Sequence, residues 1–206
     1  MLDGVAGPNS SAAPLVGRRV ALRALSLNDY EYLRAVETSS AVIRSWRHRG
    51  STPAPDAFAS SLWMGVLAHF VVADRTSGDM PIGLYSAYNP DHISGTVFIS
   101  ALKFDMSRPS PQMIEGGILF LDYLFTTWPF RKLYVETFES NLSQFGSLSG
   151  DIFIEEGRLR GHTYLNERYE DLIDLAAYRE SWYEARDFLT SYVRRGAIDP
   201  SWVSEA

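Results

Sequence analysis

Between Leu67 and His69 the hydrophobic period switches from helical to alternating, and this constrains the fold more than any other feature. Ahead of the switch, Val20, Leu22 and Leu25 alternate with Arg19, Arg23 and Ser26, as in a first strand. Ser26 and Asp29 then have capping-box spacing, with Leu25 placed as a staple, and predict a helix to about Thr38. Asp56 predicts the start of a second helix carrying Phe58, Leu62, Trp63, Val66 and Leu67. After the switch, His69–Asp74, Ile82–Tyr88 and Thr96–Phe104 read as strands. Ser77-Gly78-Asp79 is a turn, and Asn89-Pro90-Asp91 closes the second strand. A helix to about Thr127 enters through Pro111. Lys132–Glu139 reads as a strand, and Asn141–Gly150 as a weak helix. Helices and strands interleaved in this way imply a single α/β (α+β) domain.

Bulk properties exclude several function classes. The 206 residues can bury a sizeable core in one domain. The formal net charge of -6 argues against nucleic acid, which requires a basic face. It suits a cationic acceptor such as an amine. The absence of cysteine excludes disulfides, thiolate zinc sites and a Cys nucleophile. His48, His69 and His92 are scattered without metal-site spacing, so no metal is expected. No apolar stretch approaches a membrane span, and Met1–Gly7 lacks the basic start of a signal peptide. The expected location is cytoplasmic, with no membrane partner.

The segment from Phe153 to Trp182 carries a connected pattern. It reads Phe153, Glu156-Gly157-Arg158-Leu159-Arg160, His162-Thr-Tyr164, Asn166, Arg168-Tyr169, Asp171, then Arg179-Glu180-Ser-Trp182 when the intervening residues are skipped. This resembles the end of the GNAT acyltransferases, in the RimJ/RimL-like branch that acetylates ribosomal-protein N-termini. Glu167 stands where that branch has a turn glycine. The resemblance runs from about Gly17 to Trp182. It implies the GNAT fold, with a mixed, mostly antiparallel sheet flanked by helices. Residues 1–16 are then a flexible tail, 17–182 the GNAT domain, and 183–206 a C-terminal helical extension. In that extension Ala185, Phe188, Leu189, Tyr192 and Val193 form an apolar stripe at helical spacing. The stripe docks on its own domain or forms a homodimer contact or lid.

The function implied by the resemblance is transfer of an acyl group from acetyl-CoA, or another acyl-CoA, to a primary amine. The amine belongs to a small molecule, a protein N-terminus or a lysine. The alternative is a GNAT-fold binding or assembly protein that no longer uses CoA. Glu115, Tyr123 and Phe125 match the branch's central helix. Counting back from them, the two phosphate-loop glycines fall on Pro109 and Pro111. Proline has no N–H, so two donors are gone. The cofactor-binding candidates are then the backbones of Gln112, Met113 and Ile114, the Arg108 side chain, Ser100 and Leu102 on the preceding strand, and Asn141 for pantetheine. A second register places the phosphate loop at Gln112–Gly117, on Gly116-Gly117. Where the branch often carries a Glu two residues before a glycine on the fourth strand, this chain has Phe98 and Ser100, and no carboxylate occurs on that strand before Asp105. The expected acid is replaced by Gln144, beside Ser143. The catalytic candidates are therefore Ser143, Glu136 and Tyr134. Arg44, Arg47 and Arg49 cluster in a loop and are read as solvated or as contacts to an anionic substrate.

Overall fold

The computed structural model describes residues 15–105, 110–145 and 152–195. Arg108, Pro109, Gly146–Gly150 and the ends of the chain lie outside them. The elements are β1 (Leu15–Val16), β2 (Val20–Arg23), α1 (Leu27–Glu37), α2 (Pro55–Ser61), β3 (Val66–Asp74), β4 (Met80–Asp91) and β5 (Thr96–Lys103). There follow α3 (Pro111–Thr127), β6 (Lys132–Phe138), a 3-10 segment (Glu139–Phe145), β7 (Phe153–Leu165), β8 (Arg168–Tyr178) and α4 (Arg179–Arg195). The strands form one eight-stranded sheet in the order β1-β2-β3-β4-β5-β6-β8-β7. Every neighbouring pair is antiparallel except β5 with β6.

Alternation along β3 sets the two layers. Val72 faces the main core with Phe120, Leu121 and Leu124 of α3. Val71 faces a second core with Leu33 of α1 and Phe58 of α2. Because α3 is apolar nearly all round, it must be covered on both sides. The sheet covers one side and α4 the other, with Trp182, Leu189 and Val193 entering the main core. Arg179 caps the C-terminal end of α3, donating to the carbonyls of Phe125 and Phe130 at 2.6 Å and to that of Trp128.

Three boundaries differ from the sequence expectation. α2 stops at Ser61, and Val66 and Leu67 belong to β3. Gly65 turns the chain at φ 67°, and its carbonyl accepts the Asn89 N–H at 2.7 Å. β4 continues through Asn89 and Pro90 to Asp91, because a bulge between Tyr88 and Asp91 absorbs the irregularity. Leu15 and Val16, read as part of the leading tail, pair with Leu22 and Ala21 as a short edge strand.

The capping box at Ser26 gives a pH prediction. Asp29 accepts the Ser26 N–H at 2.6 Å and takes both Arg23 nitrogens at 2.8 and 2.9 Å. Burial works to raise its pKa, but the Arg23 and Ser26 bonds outweigh burial and hold it at about 2. A carboxyl that titrates lower folded than unfolded contributes stability above its unfolded pKa and loses it as pH falls toward the folded one. After solvent screening, Asp29→Asn should cost about 1 kcal/mol at neutral pH. In urea unfolding, the gap from wild type should close between about pH 4 and pH 2. A gap that stays constant with pH would show that the carboxylate is not the source.

Candidate active site

The sheet opens where its only parallel pair ends. β5 and β6 pair at Thr96↔Lys132, Val97↔Leu133 and Phe98↔Tyr134, and no further. Beyond that point both strands continue, β5 to Lys103 and β6 to Phe138. β5 stays bonded to β4, and β6 to β8, on their outer edges. The inner edges, Ile99–Lys103 and Val135–Phe138, therefore face each other as unpaired strand edges. Such edges offer backbone donors and acceptors to a ligand lying between them. At the cleft's apex, Tyr88, Phe98 and Tyr134 form an aromatic row across three strands, with centroids 5.8 and 5.5 Å apart.

The N-terminus of α3 opens on the same region, following β5 in the chain. Ser110 is the N-cap and Pro111 the first helical residue. Proline suits that position sterically but supplies no N–H. The Met113 N–H is already engaged by the Ser110 carbonyl at 3.0 Å and hydroxyl at 3.3 Å. Gln112 is the remaining non-proline residue of the first turn with its N–H at the helix end. Its side chain turns away and donates to Asp74 at 3.5 Å. Met113 is buried and its carbonyl accepts the Tyr85 hydroxyl at 2.7 Å, while Ile114 packs on the main core. Because α3 begins at Pro111, Gly116 and Gly117 lie inside the helix rather than in a phosphate loop. A Cβ on Gly117 would come 2.9 Å from the Tyr85 hydroxyl, so these glycines serve close packing on the sheet.

The remaining candidates lie on β5, on β6 and on the segment that follows β6. Ser100 lies opposite Ser86 on β4 and is half-buried. Leu102 is buried in the second core. Asn141 and Ser143 sit on the 3-10 segment, the first half-buried and the second exposed, while the rest of the expected helix, Gly146–Gly150, lies outside the described residues. Tyr134 is committed elsewhere: its hydroxyl donates to Glu156 at 2.9 Å. Glu156 also takes Lys132 at 2.5 Å and the Tyr178 hydroxyl. Burial opposes ionisation of Glu156, but the Lys132 and Tyr134 bonds outweigh it and keep the carboxyl below its ordinary range. Glu136 is exposed on β6, one pleat beyond Tyr134 on the same face. It is the single carboxylate on either inner wall of the cleft.

Two further side chains stand near this opening: Tyr88, which carries no sequence motif, and Arg49 of the arginine cluster. The Tyr88 phenol is pushed up to about 12, first by burial and then by the Glu136 charge, against the opposing Arg49. It is thus a protonated donor at neutral pH. Arg49 lies 5.9 Å from the Phe138 ring, at the end of β6. With Arg44, Tyr164, Asn166 and Glu167 it lines an open cavity of about 350 Å³ between the α1–α2 loop and the β7–β8 tip. Asn166 and Glu167 both have positive φ, 50° and 66°, as a two-residue type I′ hairpin turn requires. His69, by contrast, is a core residue, bonded at 2.7 Å to both Ser86 and the Leu62 carbonyl. Burial holds its pKa below the ordinary histidine value. Among the described residues no cluster of potential metal ligands occurs.

No family model and no curated protein matches this sequence. Solved structures do match. A GCN5-related N-acetyltransferase from Brucella melitensis superposes with a TM-score of 0.69, covering 94% of this chain and 91% of that one at 20% identity. The spermidine N-acetyltransferase of Vibrio cholerae in complex with CoA and spermine gives 0.67, covering 80% of this chain and 98% of its own at 19% identity. A chimera of the Vibrio cholerae enzyme SpeG and hSSAT gives 0.68, at 81% and 99% coverage and 19% identity. The fold is the GNAT fold. The mixed α/β architecture inferred from the sequence is therefore the observed one, and the GNAT likeness extends over nearly the whole of each neighbour. No helix among the described residues is long and apolar enough to cross a membrane.

Proposed function

We propose that this protein is an acyl-CoA-dependent N-acyltransferase, with acetyl-CoA as donor, acting on a primary amine by direct transfer. The observation that carries the reading is the cleft between β5 and β6, with two unpaired strand edges as its walls and the start of α3 at one end. An extended pantetheine arm needs such edges for its amides, and Asn141, three residues past β6, is the residue the family resemblance assigns to bond it. Acyl-CoA supplies the activated thioester carbonyl. In the transfer a C–N bond forms at that carbonyl and the C–S bond breaks. The substrate ammonium gives up two protons, one before attack and one as the amide forms, and the departing sulfur takes up one. Glu136 accepts the ammonium proton, directly or through water, and Tyr88 or Ser143 holds a hydroxyl proton beside the opening. The ribbon sequence from Phe153 to Trp182 supports placing the protein in the RimJ/RimL-like branch, and the lack of cysteines agrees with a cytoplasmic location.

One specific observation favours a second reading, in which the fold has lost CoA chemistry. Pro111 has no N–H and the Met113 N–H is already taken by Ser110, so the α3 end offers a pyrophosphate few donors. Calorimetric titration with acetyl-CoA and CoA separates the readings. Micromolar or somewhat weaker binding supports the transferase, and no binding at millimolar ligand overturns it. Asn141→Ala should weaken acetyl-CoA binding roughly 5- to 10-fold, the loss of one or two hydrogen bonds, without lowering the melting temperature. Unchanged affinity would remove Asn141 from the pantetheine path.

A further inference from the structure

The three arginines of the α1–α2 loop have different fates. Arg47 is used internally: it donates to both oxygens of Glu37, a carboxylate with no solvent exposure at the end of α1. His48 Nε2 lies 3.1 Å from the same carboxylate, off the hydrogen-bond direction. This pairing, with Val42 buried in the second core, anchors the loop. The Gly50 N–H then bonds the Ile43 carbonyl at 2.8 Å, which brings the chain at Arg44 beside the chain at Arg49. Both arginines are exposed and both line the 350 Å³ cavity. Among the described residues, no carboxylate stands within ion-pair distance of either one; the loop's ion pairs are those to Glu37. Glu167 is the cavity's only acidic residue, against two guanidinium groups. In a chain of net charge -6, two neighbouring arginines against one glutamate are a local reversal of sign.

We infer that this cavity binds an anionic group, a carboxylate or a phosphate, carried by the acceptor amine. The location of the amine itself rests on the acyltransferase reading above. Paired guanidinium forks suit planar or tetrahedral oxyanions, and an anion relieves their mutual repulsion. A polyamine would bring further positive charge against both. The geometry also sets a length. Arg49 packs on Phe138, two residues beyond Glu136 on one face of β6, which is roughly 7 Å along the strand. An acceptor that reaches both Glu136 and the arginines therefore carries a spacer of several bonds between amine and anion, as in an amino acid with a long spacer or a short peptide-like acceptor.

The test uses matched probes titrated calorimetrically into the full-length protein: 5-aminopentanoate, 5-aminopentyl phosphate, pentylamine and 1,5-diaminopentane. At least one anionic probe should bind about 10-fold or more tightly than pentylamine, and the diamine should bind most weakly. Whether the carboxylate or the phosphate binds better identifies the oxyanion. Arg44→Gln/Arg49→Gln should abolish the preference, and Arg44→Lys/Arg49→Lys should retain part of it. Equal binding of all four probes, tighter binding of the diamine, no binding of any, or a preference that survives the glutamine substitutions would each overturn the inference. Should the glutamine variant fail to fold, the wild-type ranking and its weakening by salt decide the matter. Acetyl-CoA is titrated separately. Anion preference without acetyl-CoA binding removes the transferase reading and keeps this site; acetyl-CoA binding without anion preference does the reverse.

Discussion

Trp182→Ala should lower the unfolding free energy by about 3–5 kcal/mol, among the largest losses available to a single core truncation. The indole is fully buried and stacks on Phe125 of α3, with centroids 6.1 Å apart and planes at 26°. Its Nε1 has no hydrogen-bond partner, so its contribution is packing and apolar burial. Truncation leaves a void bounded by α3, β8 and α4, three elements that cannot close it without moving their own contacts. Trp182→Phe, which keeps a ring against Phe125, should lose less than half as much. Urea unfolding monitored by far-UV circular dichroism provides the measurement. A midpoint within error of wild type would mean that α4 does not pack on α3 in solution.

Glu136→Gln should reduce kcat/KM for amine acetylation by about 100-fold or more, with little change in melting temperature. The residue is exposed, so its loss leaves no buried gap. Within the two cleft walls it is the single carboxylate: the β5 wall from Thr96 to Lys103 contains none and the β6 wall contains this one, with Asp174 in register beside it on β8. The amide is nearly isosteric but cannot take a proton, so a loss in kcat at unchanged KM points to proton transfer. The release of CoA thiol can be followed with a disulfide reagent, because the protein itself contains no cysteine. Activity that survives the substitution, with an unaltered pH profile, would assign proton removal to solvent alone.

The elements with strong local chemistry were legible before the structure. Ser26 and Asp29 announce α1, Pro111 announces α3, and the alternation after His69 announces the sheet. Boundaries set by long-range contacts were not. The apolar run through Val66 and Leu67 continues the helical spacing of α2, and only the Gly65 turn, held by Asn89 from β4, ends it. The same holds for the site. Gly116 and Gly117 have the composition of a phosphate loop, yet their role is set by Tyr85, which is far away in sequence. Tyr88 carries no signal in its own segment, because its surroundings come from Glu136 and Arg49. The arginine cluster was visible as a cluster. Its division into Arg47, bound to Glu37, and the cavity pair Arg44 and Arg49 depends on how one loop folds.

The short β5–β6 ladder has a consequence for how the molecule holds together. Only three residue pairs join the leaf β1–β5 to the leaf β6–β8–β7, so few strand pairings hold the two leaves together. The helices act as a splint across that seam. α3 packs on the first leaf, α4 continues directly from β8 of the second, and the two are bolted together by Arg186 to Asp122 at 2.5 Å and by the Arg179 contacts to α3. Cooperativity between the leaves is thus carried by the helix layer rather than by the strands. The amides of Val97 and Phe98 should exchange with solvent at the rate at which that layer loosens, and their protection measures how far the two leaves unfold as one body.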